Sequence, residues 1–124
     1  MRLSVFNISE IDLAPYQGSL HRLLDGRTLP ETEGRESFVA IYNGSVLGLI
    51  SADRGVIDFF KVLEATRGRG VGGYLMKEAA NALLEKHGTV TLSQKLYSLP
   101  DFKLFSERLG FQDGVLSRTI EEDF

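Results

Sequence analysis

The run "EATRGRGVGGYLMKEA" (64–79) crowds four glycines and two arginines into positions 67–73 and passes directly into helical periodicity. A helix begins with backbone N–H groups that have no intrahelical partner, and its dipole leaves partial positive charge at that end. A phosphate or pyrophosphate docked there satisfies the donors and meets the right sign. Close approach of such an anion requires residues without a Cβ, which Gly68, Gly70, Gly72 and Gly73 provide around Val71. Arg67 and Arg69 add charge and forked donors. Tight packing of a helix on a strand would account for the glycines alone. It would not account for the interleaved arginines.

Two familiar phosphate-binding patterns do not fit. The Walker pattern ends in Gly-Lys-Ser/Thr, which the sequence lacks. Gly68, Gly70 and Gly73 satisfy a bare G-x-G-x-x-G, but a dinucleotide fold places that turn early, in its first strand–helix unit. Here it follows a hairpin at mid-chain. The other titratable residues are scattered. His21 and His87 are far apart, with no carboxylate–histidine spacing that suggests a metal, and His87 reads as a cation at a helix C-terminus. Asp58 interrupts the apolar run "VIDFF". It is either a solvent-facing residue at alternate spacing or a base that deprotonates an amine, directly or through water. Glu36 and Glu64 are weaker candidates for that role.

The elements that must hold these residues are readable from pattern. Residues 3–8 form a first strand, and 8–24 suggest one or two short helices broken at Pro15 and Gly18, with Ser9 as an N-cap. Polar residues 25–36 read as loop; their acidic "ETEGRE" either is solvated or receives a cationic ligand. Two β-rich runs flank Asn43-Gly44, a dipeptide suited to a type I′ hairpin turn. A third strand spans 54–64, after a turn at Asp53-Arg54-Gly55. Phe59 and Phe60 point to opposite faces of it, which suggests burial on both. From 70 to 87, Val71, Leu75, Ala79 and Leu83 make one apolar stripe, widened by Met76, Ala80 and Leu84, and Gly88 stops the helix. A short strand (89–93), a loop carrying Tyr97, a second helix from Pro100 to Gly110 and a weak closing strand complete the order.

With 124 residues the chain is read as one domain, 1–124. Its 43% hydrophobic and 25% charged residues are those of an ordinary globular protein, and a net charge of −3 argues against general nucleic-acid binding. There is no cysteine, which excludes disulfide and thiolate chemistry and fits a reducing cytoplasm. No apolar run suggests a signal peptide or a membrane span.

The run "VLEATRGRGVGGYLMKEA" resembles the signature of the GNAT N-acetyltransferases, Arg/Gln-x-x-Gly-x-Gly/Ala, on Arg67, Gly70 and Gly72. A second element, a helix ending in Leu-Gly-Phe, is matched by "LFSERLGF" (104–111). The resemblance covers roughly 38–112. It implies an α/β (α+β) fold: a mixed, mostly antiparallel twisted sheet with helices on both faces. It implies that the 67–73 turn holds the pyrophosphate of acetyl-coenzyme A. The strand around Phe60, Lys61 and Val62 then splays from its neighbour and pairs with the pantetheine arm. Phe105 flanks the cofactor, and a strand amide near Val62 stabilises the thioester oxygen. Family members often carry a tyrosine as general acid where this chain has Ser106, so Tyr97 is the candidate stand-in and Asp58 the candidate base. The implied reaction is direct acetyl transfer to a small-molecule or protein amine. The local run around Glu64, Thr66 and Tyr74 also resembles the acetyltransferase-like maturation factors of the aspartate decarboxylase proenzyme. That resemblance implies an alternative: an acetyl-coenzyme A-dependent binding protein that regulates a partner enzyme. The acceptor and the oligomeric state are not encoded in any motif.

Overall fold

The computed structural model describes residues 3–28, 32–66 and 68–117. Six strands form one sheet in chain order: β1 (Ser4–Asn7), β2 (Arg35–Tyr42), β3 (Ser45–Asp53), β4 (Val56–Val62), β5 (Thr89–Leu92) and β6 (Val115–Ser117). Every pairing is antiparallel except β4 with β5, which is parallel. The expected mixed, mostly antiparallel sheet is therefore present. Among the described residues four α-helices accompany it: α1 (Gln17–Leu24), α2 (Val71–His87), α3 (Gln94–Tyr97) and α4 (Pro100–Arg108).

The turns follow their chemistry. Asn43 and Gly44 both have positive φ (51° and 78°), as do Arg54 and Gly55 (49° and 84°), so each pair closes a two-residue hairpin with the twist the strands need. The sheet is covered on both faces because β2, β3 and β4 alternate two apolar sets. Phe38, Ala40, Ile50, Ala52 and Ile57 pack with α2, whose buried stripe is Val71, Leu75, Met76, Ala79, Ala80 and Leu83. Val39, Ile41 and Leu49 pack with Leu20, Leu23 and Leu24 of α1. Gly48 lets α2 approach: a Cβ there would sit 2.9 Å from a methyl of Leu75. Truncating Leu75 itself would open a cavity in the middle of this layer, a loss of about 2–5 kcal/mol.

Three expectations need correction. Gly18 does not break a helix; it lies inside α1, and Pro15 sits in the first turn of a short 3-10 helix (Ala14–Tyr16) that leads into α1. The cap near the N-terminus is Asn7 rather than Ser9: Asn7 Oδ1 accepts from the Ser9 backbone and hydroxyl. Residues 35 and 36, read as loop, begin β2, held by pairing with Asp53 and Ala52.

Candidate active site at the fork between two strands

β4 and β5 pair only at Val56–Thr91 and Ile57–Leu92. The last bond between them runs from Ser93 N–H to the Ile57 carbonyl at 2.7 Å. β5 then ends and the chain enters α3, capped by the Ser93 hydroxyl. β4 continues to Val62 with β3 on one side and, among the described residues, no strand on the other. Leu63 N–H donates to the Leu47 carbonyl at 2.8 Å, so the alternation of an antiparallel ladder turns Lys61 and Phe59 toward β3. The N–H and C=O groups of Phe60 and Val62 point to the open side.

A bulge sharpens the fork. Ser51 faces Phe59 and Ala52 faces Ile57, which leaves Asp58 as the extra residue of β4. Phe60 stays on the α2 face, in a cluster with Phe102 (ring centroids 5.3 Å apart) and Phe105 (5.5 Å) from α4. Phe59 lies on the α1 face. The opposite orientation expected of the two phenylalanines is thus present, and both are half-buried.

The glycine turn meets β4 on the α2 face, and its glycines do different work. Gly68 and Gly70 have φ of 80° and 81°, a conformation other residues rarely adopt. Gly70 is the N-cap of α2 and offers no side-chain cap, so among the described residues no side chain takes up the first amides of that helix. Gly72 is the contact glycine: a Cβ on it would lie 3.4 Å from both the Phe60 ring and the Val62 side chain, and 3.8 Å from Phe105. Gly73 has ordinary φ and open space around it. Val71 is buried and anchors the first turn, while Arg69 is exposed. Arg67 lies outside the described residues. The structure therefore brings Phe60, Val62, Gly72 and the uncapped start of α2 together. Lys61 is on the same strand with its backbone turned to β3.

Asp58 has a different setting. Its two oxygens accept from Arg35 Nη1 and Nη2, both at 2.8 Å. Arg35, 11% exposed, also donates to Ser51 Oγ at 3.0 Å, and Ser51 in turn bonds Ser37 at 2.8 Å. The bonds to Asp58 raise the Arg35 pKa, against the opposing effect of burial, so the guanidinium stays charged. Asp58 remains 37% exposed, with its outer edge in a cleft of about 230 Å³ lined by Arg27, Thr28, Arg35, Phe59 and Lys95.

Tyr97 does not line this cleft. Residues 94–97 are not a loop but the short helix α3. Two positions along a helix span about 200°, so Lys95 facing the cleft turns Tyr97 to the other side. Its ring lies against Gly114, 3.1 Å from a notional Cβ there, with Lys103 Nζ 5.3 Å from the ring centre. Ser106 is fully buried and its hydroxyl donates to the Lys103 carbonyl of its own helix at 2.8 Å. Glu36 is engaged by His87 (2.9 Å) and Lys86 (3.3 Å), and Glu64 is exposed on a 3-10 turn. The sequence reading missed Arg27, Arg35 and Lys95. A signal for the bulge was present: a carboxylate inside an apolar run followed by two aromatics breaks strict alternation.

Residues 33–113 match the model of the acetyltransferase (GNAT) domain, and the chain belongs to that family. No curated protein matches the sequence significantly. Among solved structures, YhhK of E. coli, bound to coenzyme A, superposes with a TM-score of 0.69 at 20% identity, over 90% of this chain and 92% of that one. A GNAT family acetyltransferase from Brucella melitensis in complex with acetyl-CoA gives 0.61 at 20% identity, covering 98% and 92%. The ribosomal-protein-S18-alanine N-acetyltransferase from Escherichia coli gives 0.68 at 14% identity, covering 90% and 78%. No helix among the described residues is long and apolar enough to cross a membrane.

Proposed function

We propose that this protein binds acetyl-coenzyme A and transfers its acetyl group to an amine by direct attack, as the family membership and the ligands of the YhhK and Brucella structures support. The observation that carries the reading is the fork itself: the N-terminus of α2, without a side-chain cap, lies beside a stretch of β4 whose Phe60 and Val62 backbone groups have no strand partner among the described residues. The residues fit the cofactor. The amides after Gly70, with Arg69 and Arg67, would hold its pyrophosphate, the open edge at Phe60 and Val62 would pair with its pantetheine arm, and Phe105 would flank it.

When bound, acetyl-coenzyme A supplies a thioester: the amine nitrogen forms the new C–N bond, the C–S bond breaks, sulfur leaves with the electron pair, and the nitrogen gives up a proton. The Val62 N–H is the free donor for the acyl oxygen. Asp58 faces the cleft and takes the ammonium proton, through water, while the two bonds from Arg35 fix its carboxylate in place. The thiolate needs no strong acid, because a thiol with a pKa near ~8.5 can be protonated by water. Tyr97 is therefore the dispensable member of the proposed set. The expected cytoplasmic location belongs to this reading.

The test has two parts. Acetyl-coenzyme A should bind with micromolar-order affinity and raise the melting temperature by mass action. Thiol release should then depend on an added amine. No heat and no thermal shift at millimolar ligand would end the reading.

A second reading rests on Ser106 and Tyr97, neither of which brings an acidic hydroxyl to the cleft. On it, the protein binds acetyl-coenzyme A in order to bind and regulate a partner enzyme. Binding without thiol release, joined to a partner recovered only when acetyl-coenzyme A is present, would favour it.

A further inference from the structure

The cleft around Asp58 opens on the α1 face of the sheet, opposite the glycine turn, at the point where the strands part. Asp58 is the first β4 residue beyond the last β4–β5 pair, and Lys95 lies three residues past the end of β5. A ligand reaching along the β4 edge from the α2 side meets this cleft at the fork. The lining carries three cations, Arg27, Arg35 and Lys95, against one carboxylate, Asp58, an excess of two positive charges in a chain whose net charge is −3. The bidentate pair uses the Arg35 charge. Among the described residues no carboxylate pairs with Arg27 or Lys95. The Arg27 guanidinium lies 5.8 Å from the centre of the Phe59 ring, which holds it over the cleft. Thr28 adds a hydroxyl beside it.

We propose that the acceptor is a small amine carrying an anionic group, a carboxylate or a phosphate, held by Arg27 and Lys95 while its nitrogen lies toward Asp58. This rests on the acetyl-transfer reading and names its substrate class. Local positive potential in a concave site attracts such anions over cationic polyamines, even on an acidic protein. A forked guanidinium and a nearby ammonium supply the charge-assisted bonds that fix orientation. Of the neighbouring stretch 32–36, Glu36 is engaged by His87 and Lys86, and Arg35 belongs to the cleft.

The experiment pairs each amine with a partner that lacks its anionic group: alanine and β-alanine beside their carboxamides, and phosphoethanolamine beside ethanolamine. The full chain, loaded with acetyl-coenzyme A, is assayed for thiol release. In parallel, amide NMR signals are followed with each compound in the presence of coenzyme A. The expected result is a preference of at least about tenfold in kcat/KM for the charged member of at least one pair, the low end of what a charge-assisted hydrogen bond contributes. Which pair responds separates carboxylate from phosphate. Arg27→Glu and Lys95→Glu, both at exposed positions, should erase the preference with coenzyme A affinity unchanged. Transfer with no charge preference, or a preference that survives both variants, overturns the inference and leaves acetyl transfer standing. Absence of all transfer, with the charged compounds still selectively shifting the signals of Arg27, Phe59 and Lys95, removes acetyl transfer and keeps the anion site. Shifts that do not distinguish the pairs, with no transfer, remove both.

Discussion

The two faces of the unpaired half of β4 are built on opposite principles. On the α2 face the useful groups are backbone: the amides after Gly70 and the free edge of Phe60 and Val62, packed around an aromatic cluster. On the α1 face they are side chains: a buried guanidinium clamping a carboxylate, with two further cations around an open cleft. Backbone donors recognise what all cofactors of one kind share. Side chains can be exchanged without disturbing the sheet, so they are where a particular acceptor would be selected. If this division holds, substitutions on one face should leave the other face's function intact.

The largest effect should come from Gly73→Glu. Gly73 has ordinary φ and no atom near its notional Cβ, so the fold should survive. The new carboxylate would stand at a helix N-terminus meant for an anion, and coenzyme A binding should fall a hundredfold or more, on the order of 3 kcal/mol or above. Calorimetry beside a circular-dichroism melt reads both. Gly72→Glu is a poorer test, because the Phe60 ring and Val62 already occupy the space it needs. Normal binding by Gly73→Glu would mean that the turn only packs.

Asp58→Ala probes the other face. It leaves Arg35, 11% exposed, with Ser51 and Thr32 as its remaining partners. Stability should drop by about 1–2 kcal/mol, limited by the solvent already reaching Asp58. Turnover should fall by about 10²-fold, the lower end for a positioned base. Coenzyme A affinity should not change. If affinity falls with turnover, the faces are coupled through the bulge, and the division above is wrong.

What was legible in the sequence follows the same line. The glycine turn, the hairpins at Asn43-Gly44 and Arg54-Gly55, and the α2 stripe are contiguous, and their backbone requirements select residue types strongly. The fork could be expected only through family resemblance, since nothing in residues 58–62 alone says which neighbour is missing. The charged cleft was not legible. Its lining comes from a loop, two strands and α3, and Arg35 sat in a stretch whose polarity reads as loop. Long-range pairing with Asp53 and Ala52 overrode that polarity. α3 was missed because a four-residue helix is too short for periodicity to declare itself.

Gly73→Ala sharpens the account of the turn at smaller scale. In the helix it should raise stability by roughly 0.5–1 kcal/mol, since alanine loses less backbone freedom than glycine. If the absent Cβ serves approach of an anion, coenzyme A binding should weaken by several-fold in the same protein. A variant that is both more stable and binds normally would assign the glycine to neither packing nor binding.

The smallest effect is expected from Tyr97→Phe. The residue is held by its ring, against Gly114 and beside Lys103, and phenylalanine keeps both contacts. Stability should stay within about 0.5 kcal/mol. Turnover should stay within about twofold, because a leaving thiolate can take its proton from water. The measurement is kcat and KM with the best amine of the charged panel. A tenfold fall in kcat at constant KM would mean that the phenol reaches the reacting sulfur from behind α3. The chemistry would then draw on side chains from both sides of the fork, and the separation of a backbone face for the cofactor from a side-chain face for the acceptor would no longer describe this protein.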